Sequence, residues 1–258
     1  MTARRRAVTV IGIGDDGCAG LTARAIDAVA AAGVLAGGER HLAFFPAFRG
    51  ERVVIGAGLG AALDRLAARA DEANVCVLAS GDPLFFGVGS LIVKRFGAEH
   101  VEIVPQPSSV QWAFARVGLR WDDAAFLSLH ARARDGFLTR LRAISKAAVL
   151  TDEENSPPRL AALMLENGLG ADDGTGWDAW VCENLAGPGE RVRKFSVAAL
   201  AAATDVGPLN VLVLCRRDPA WRPPPVISFM PEDAFAKRMP KKGLITKREV
   251  RLLSLAAM

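Results

Sequence analysis

Two short β-branched runs, each leading straight into glycine and aspartate, constrain this chain more than any other feature. They are Val8-Thr9-Val10-Ile11-Gly12-Ile13-Gly14-Asp15-Asp16-Gly17 and Val75-Cys76-Val77-Leu78-Ala79-Ser80-Gly81-Asp82-Pro83-Leu84-Phe85-Phe86-Gly87. An apolar run of this length bounded by glycines reads as a buried parallel strand whose carboxyl end opens into a loop. Open α/β sheets bind ligands in the crevice outside such ends. The two loops therefore predict one small-molecule cleft lined from two strands.

The rest of the first half fits that expectation. Strands are predicted over 8–13, 52–55, 75–80 and 101–104, and helices over 22–32, 59–73, 88–96 and 109–117. Thr22, and Ser108 or Ser109, are placed to cap helices by accepting an amide hydrogen bond. Such alternation argues a mostly parallel sheet with helices on both faces. After Gly118 the texture changes to strands at 126–129, 147–150, 180–183, 191–196 and 210–215, with helices at 137–144 and 158–167. Pro157-Pro158 suits a first helical turn. Gly187-Pro188-Gly189 reads as the turn of an antiparallel hairpin. The expected organisation is a first α/β domain over 1–120, a second over 121–217, a proline-rich linker over 218–240, and the start of a further domain over 241–258. In that last stretch Thr246 and Glu249 form a capping-box pattern, and a helix this short at the end of a chain is marginal alone. The expectation is a natural chain that continues.

Composition narrows the function classes. At 51% hydrophobic and 23% charged, the chain can bury a substantial core and is no disordered tail. The most helical apolar stretch, Leu59 to Ala70, is broken by Asp64, Arg65 and Arg69, so no membrane span of roughly 18 residues is expected. Val8 to Ile13 is too short for a secretory signal. The net charge of +4 is carried by the two ends. Seven basic side chains against Glu249 crowd residues 237–251, and Arg4, Arg5 and Arg6 precede the first strand, which leaves 7–236 at a net −5. A nucleic-acid surface is therefore not expected. Cys18, Cys76, Cys182 and Cys215 form no Cys-x-x-Cys pair, which fits a reducing, cytoplasmic location. His41, His100 and His130 stand apart, and no metal site is expected.

Each loop has a rival reading. Gly12 to Gly17 matches G-x-G-x-x-G, the pattern of a nicotinamide-dinucleotide site. A pyrophosphate needs free amides at a helix start close behind the glycines. Here Asp15 and Asp16 put negative charge where phosphate oxygens would lie, and the helix starts only near Thr22. Glu39 could serve as the ribose-binding acid, so an NAD(P)-dependent oxidoreductase stays open, as does a non-catalytic binding module. Ser80 to Gly87 can be read as a plain tight turn with Pro83 at its second position. Its carboxylate, adjacent aromatics and glycine together suit a neutral or cationic organic ligand better than a polyphosphate.

The order of segments resembles the tetrapyrrole (class III) S-adenosylmethionine-dependent methyltransferases. The matching stretches are Val8–Asp16, Ala79–Gly87, Val104–Gly118 with Pro-Ser-Ser-Val-Gln-Trp, Ser128–Arg132 (Ser-Leu-His-Ala-Arg), Val149–Pro157, Cys182-Glu183-Asn184-Leu185 and Pro208–Cys215. Within the family the chain is similar to the corrin-ring branch of cobalamin biosynthesis in which a second methyltransferase and decarboxylase domain is fused behind. The resemblance implies an α/β, two-domain tetrapyrrole-methylase architecture, each domain a mixed or mostly parallel sheet flanked by helices, with the active-site cleft between them. It implies C-methylation of a precorrin macrocycle, at carbon 5 for this half, with S-adenosyl-L-methionine as donor and S-adenosyl-L-homocysteine as product. Ser80, Gly81, Asp82, Phe86, Gly87, Ser108, Ser109, Asn184 and Asn210 would hold the donor. Gly12, Gly14, Arg132 and Arg134 would meet the polycarboxylate acceptor, with Arg116 and Arg120 as further candidates. Asp15, Asp16 and His130 would face the reaction. A homodimer and the fused downstream domain are the implied partners. Asp15-Asp16-Gly17 stands where many relatives have Gly-Pro-Gly-Asp. Ala131 stands where glycine is more usual, so an altered backbone is expected there.

Overall fold

The apolar runs of the first half become five parallel strands covered on both faces. In the computed structural model, which describes residues 8–56, 58–131, 133–170, 176–218 and 220–222, these are β1 (Val8–Ile13), β2 (Val34–Gly37), β3 (Glu51–Val54), β4 (Val75–Ser80) and β5 (Val101–Val104), in the order β3-β2-β4-β1-β5. β1 lies beside β4 with Val8 opposite Val75 and Ile13 opposite Ser80, so the two glycine loops leave side by side. Alternation sends Val8, Val10, Val75 and Val77 to one face, and Ile11, Ile13, Cys76 and Leu78 to the other. The second set is covered by Ala25 and Val29 of α1 (Ala23–Ala30) and Leu42 of α2 (Glu39–Ala43). The first is covered by Ala62 and Leu66 of α3 (Leu59–Ala70) and Ile92 of α4 (Gly89–Phe96). Ile11, Leu35, Leu66 and Ile92 are completely buried, each contributing roughly 1.5–3 kcal/mol. The helices that follow β1 and β4 therefore pack on opposite faces, which opens a crevice at the carboxyl ends of these two strands.

The second sheet is mixed. β6 (Ala125–Ser128), β7 (Lys146–Leu150), β8 (Trp177–Glu183), β9 (Arg191–Ser196) and β10 (Asn210–Arg216) stand in the order β6-β7-β10-β8-β9. Only β6 and β7 run parallel. β10 is antiparallel to β7 and β8, and β8 to β9, the expected hairpin. One face packs on Phe137 and Leu141 of α6 (Phe137–Arg142), Leu160 and Met164 of α7 (Pro157–Glu166), and Val197 and Leu200 of α8 (Val197–Ala201).

The other face is covered by a helix that leaves the first sheet. α5 (Ser109–Val117) follows β5, yet Val110, Ala113 and Phe114 pack on Ala148, Cys182, Val211 and Val213 of the second sheet. Its start is fixed by a capping box. Ser108 Oγ accepts from the Gln111 amide, and Gln111 Oε1 accepts from the Ser108 amide, an arrangement that contributes about 1 kcal/mol. Gly118 ends the helix with φ +68°, where a side chain would be strained. α5 joins the two sheets, and the described residues as far as Trp221 form one compact unit.

Three short elements were not foreseen: β2, α2 and α8. Several ends also move inward, as α1 ends at Ala30 rather than residue 32 and α3 at Ala70 rather than 73. Arg4, Arg5 and Arg6, most of the proline-rich linker, and the basic segment with Thr246 and Glu249 lie outside the described residues. Among the described residues no helix is long and apolar enough to cross a membrane.

Candidate active site

The loops after β1 and β4 touch through their backbones. A Cβ on Gly12 would sit 2.0 Å from the Gly81 carbonyl oxygen, and the Gly81 amide donates to the Ile13 carbonyl at 2.9 Å. Gly81 holds φ +58°, with Ser108 Cα 3.0 Å from where its own Cβ would be. Only glycine allows the β4 loop to pass this tightly between β1 and the start of α5. Above this junction lies a cleft of about 310 Å³. The first sheet contributes Ile13, Gly14, Asp15, Arg40, Ser80, Gly81 and Phe86, and the approach to α5 adds Pro107, Ser109 and Trp112. The second sheet contributes Ser128 and His130, Leu150 and Thr151, Cys182, Asn184 and Leu185, and Pro208 to Val211.

Of the residues predicted for the site, Gly14, Asp15, Ser80, Gly81, Phe86, Ser109, His130, Asn184 and Asn210 line this cleft. Others stand behind it. Gly12 lets the two loops approach. Asp16 folds back over its own turn, because a Cβ on Gly14 or Gly20 would lie 2.5 or 2.1 Å from its carboxylate oxygens. Asp82 Oδ1 accepts from the Leu84 amide at 2.8 Å, which shapes the turn. A Cβ on Gly87 would lie 2.6 Å from the Pro83 carbonyl oxygen, so Gly87 closes that same turn. Ser108 is the buried helix cap. Arg134 is exposed and does not line the cleft, and Arg132 lies outside the described residues. Arg116 pairs with Glu190 through two nitrogens, and Arg120 pairs with Asp122.

The walls are strained where they meet the cavity. Phe86 has φ +55° and Asn184 φ +48°, left-handed conformations that cost a non-glycine residue roughly 1–2 kcal/mol. Phe86 stays 45% exposed and meets Phe85 edge to face at 4.8 Å. Ala131 has φ +53°, so the alanine takes the left-handed backbone that a glycine favours rather than the altered one expected, and its amide donates to Asp152 Oδ2 at 2.7 Å. Amides from Asn155 and Ala131 hold the Asp152 carboxyl below the usual carboxylate range, against the opposing effect of burial. His130 Nδ1 lies 3.1 Å from the Thr151 carbonyl oxygen, so that nitrogen carries the proton and donates.

The second sheet holds its part of the cleft with buried charge. Glu183 is 2% exposed and accepts from Arg191 through both oxygens at 2.8 Å, from Arg193, and from the Gly207 amide at 2.8 Å. Burial alone would raise its pKa, but these donors hold it below the ordinary value. Asn210 donates to the Gly207 carbonyl and accepts from Thr151 Oγ1. The Asn184 amide donates to the Leu209 carbonyl. Pro208, Leu209 and Asn210 are thus pinned from both sides.

Two cleft features escaped the sequence reading. Arg40 is the one Lys or Arg among the described lining residues, yet in the sequence it is one charge in a Glu-Arg-His run. Cys182 is buried, and that burial pushes its thiol up to about 12, so it stays protonated.

The first loop does not offer a phosphate site. Gly17–Gly20 is a short 3₁₀ turn carrying the Asp16 carboxylate over it, and α1 starts only at Ala23, where Thr22 Oγ1 already accepts the Ala25 amide. Glu39 opens α2 and does not line the cleft. This geometry opposes the dinucleotide reading.

Comparison with known proteins agrees with the architecture. The family profile of the Tetrapyrrole (Corrin/Porphyrin) Methylases matches residues 7–201. A cobalt-precorrin-7 C(5)-methyltransferase of Salmonella typhimurium is 38% identical over 80% of this chain and 98% of its own length. A precorrin-6Y C(5,15)-methyltransferase [decarboxylating] of Sinorhizobium sp is 36% identical over 97% of this chain, which spans 59% of that longer protein. A uroporphyrin-III C-methyl transferase from Thermus thermophilus, solved in complex with S-adenyl homocysteine, superposes with a TM-score of 0.60 at 25% identity. That match covers 81% of this chain and 91% of the other.

Proposed function

This chain belongs to the tetrapyrrole methylase family, and from that premise we propose that it methylates carbon 5 of a precorrin macrocycle with S-adenosyl-L-methionine as donor. The observation that carries the reading is the cleft itself. It gathers the β4 loop and the β8–β9 hairpin around a mostly uncharged cavity, in a chain that matches nearly the full length of a C(5)-methyltransferase.

The lining fits such a donor. Apart from His130 and the protonated Cys182 thiol, the charged or titratable groups on it are Asp15 and Arg40, and they pair with each other at 2.6 Å. What remains is apolar wall with serine, threonine and asparagine groups, which suits an adenosine and a sulfonium better than a polyphosphate. When bound, the donor supplies an activated methyl group, whose transfer to a nucleophilic ring carbon leaves the neutral thioether. The chain's own residues bind and orient. Ser80, Gly81, Phe86, Ser109, Asn184 and Asn210 would hold the donor, and Phe86 with Leu209 would exclude water. His130, its Nδ1–H committed to Thr151, is oriented to accept a proton at Nε2. Gly14 and Asp15 would meet the acceptor. The longer relative supports a partner domain that performs the second methylation and the decarboxylation.

The test is turnover with methyl-labelled donor and a precorrin acceptor, read by carbon NMR. Label at carbon 5 is expected. Label at another ring carbon moves the acceptor site, and no transfer with added NAD-dependent oxidation of the substrate removes the reading.

A further inference from the structure

α2 carries a polar network that ties the acceptor side of the cleft to the donor loop. Asp15 Oδ1 accepts from Arg40 Nη1 at 2.6 Å. The same carboxylate lies against the hairpin turn of the second sheet, since a Cβ on Gly187 would sit 2.2 Å from Asp15 Oδ2. Arg40 Nη2 faces His41 Nε2 at 3.4 Å, and His41 Nε2 lies 3.1 Å from Ser80 Oγ. A guanidinium only donates, so Nε2 is the acceptor and Ser80 gives it its hydroxyl proton. Towards the cleft, Ser80 then presents lone pairs alone.

His41 is buried, and among the described residues its Nδ1 has no hydrogen-bond partner. A buried nitrogen left unpaired destabilises the fold, so the ring holds its position against a local cost. Burial first, and Arg40 second, push its pKa down to about 4 against the weaker pull of Asp15. At neutral pH it is an uncharged strut.

Resting on the methyltransferase reading above, we infer that Arg40 receives a carboxylate of the acceptor macrocycle, and that His41 is a positioning residue locking its guanidinium in register with Ser80. Arg40 projects from α2 with a side chain 41% exposed; Nη1 is anchored by Asp15 and Nη2 faces His41, and a guanidinium carries five N–H donors, more than these two contacts use. Guanidinium forks match carboxylates in shape and charge. The candidates named from sequence are differently placed: of Arg40, Arg116, Arg120 and Arg134, Arg40 alone lines the cavity. A carboxylate also occurs on the donor's amino-acid end, and the experiment separates the two sources.

Calorimetry on the full chain would use three probes: S-adenosylhomocysteine, a corrin polycarboxylate, and the same corrin with its carboxyls esterified. The wild type is expected to favour the acid over the ester at least tenfold. Arg40→Ala should erase most of that preference and leave S-adenosylhomocysteine within twofold, while Arg40→Lys keeps part of the preference. His41→Asn should weaken both the acid and S-adenosylhomocysteine three- to tenfold at unchanged binding stoichiometry, which separates it from loss of folding, since an unfolded fraction would lower the stoichiometry for both. Retained acid preference in Arg40→Ala overturns the assignment, and so does a loss confined to S-adenosylhomocysteine, which would place the donor's carboxylate there. A wild type that binds the acid but no S-adenosylhomocysteine overturns the methyltransferase reading and leaves Arg40 standing.

Discussion

The two sheets build their halves of the cleft by different means. The first uses backbone: β1 and β4 run parallel, covered on both faces, and glycines at 12 and 81 let their loops interlock without side chains. The second uses charge: a mixed sheet whose cleft segment is held by Glu183, Arg191, Arg193 and Asp205. Parallel strands end in loops that already converge. The antiparallel β8–β9 hairpin needs its neighbouring segment, 205–210, to be fastened separately. The contrast says that the first half of the site fails by steric intrusion and the second by loss of a counter-ion.

The largest effect should come from the second sheet. Glu183→Ala leaves Arg191 and Arg193 without their buried partner and the Gly207 amide without an acceptor. Arg191 and Arg193 are partly exposed and keep Asp205, so losing these charge-assisted hydrogen bonds and orphaning the amide should cost about 3 kcal/mol. Chemical denaturation of the variant should show that loss, and a change below 1 kcal/mol would mean that the cluster is solvated.

Acid should then separate the sheets. His41 takes up a proton in the unfolded chain near its ordinary 6.5, but in the fold only near 4. Its stabilising contribution is complete above 6.5, and stability falls by up to roughly 3 kcal/mol as pH drops to 4. Glu183 has a folded pKa below its ordinary value. Its contribution is present above that ordinary value and is lost only as pH falls through the lower, folded one. Melting temperatures across this range should decline first through His41, and His41→Asn should flatten the slope between 6.5 and 4. An unchanged slope would break the assignment.

Gly81→Ala tests the backbone half. A Cβ there meets Ser108 Cα at 3.0 Å with φ at +58°, which should cost about 2 kcal/mol. The smallest effect expected is a gain. Ala131→Gly relieves a left-handed alanine at φ +53° and should add about 1 kcal/mol, seen as a rise of a few degrees in melting temperature.

The same contrast marks how much was legible in sequence. β1, β4 and β5, the Thr22 and Ser108 caps, and the antiparallel hairpin announced themselves because strand period, cap chemistry and turn residues are local signals. β2 did not, since Val-Leu-Ala-Gly follows an alanine-rich helix and carries no alternation. α2 and α8 have only five residues each, too short for a helical period to register. Gly81 and Phe86 were readable as cleft residues because their loop leaves a strong strand, whereas Asn184 and Asn210 came only from the family resemblance. Arg40 and His41 were not. They matter only because α2 packs against β4, a contact between segments some forty residues apart in sequence. Asp16 and Asp82 illustrate the converse: adjacent acids in a loop read as site groups, yet one carboxylate lies over its own turn and the other accepts from its own loop.

The central claim is that one cleft, walled by Ser80 to Phe86 on one side and Leu209 to Val211 on the other, holds the methyl donor. A crystal structure of the full chain with S-adenosylhomocysteine tests it most directly. The ligand should lie in that cleft, with Phe86 packed over it and Ser80 accepting a hydrogen bond from it. Ligand bound elsewhere, or a nicotinamide dinucleotide seated on Gly12 to Gly17 instead, would contradict it.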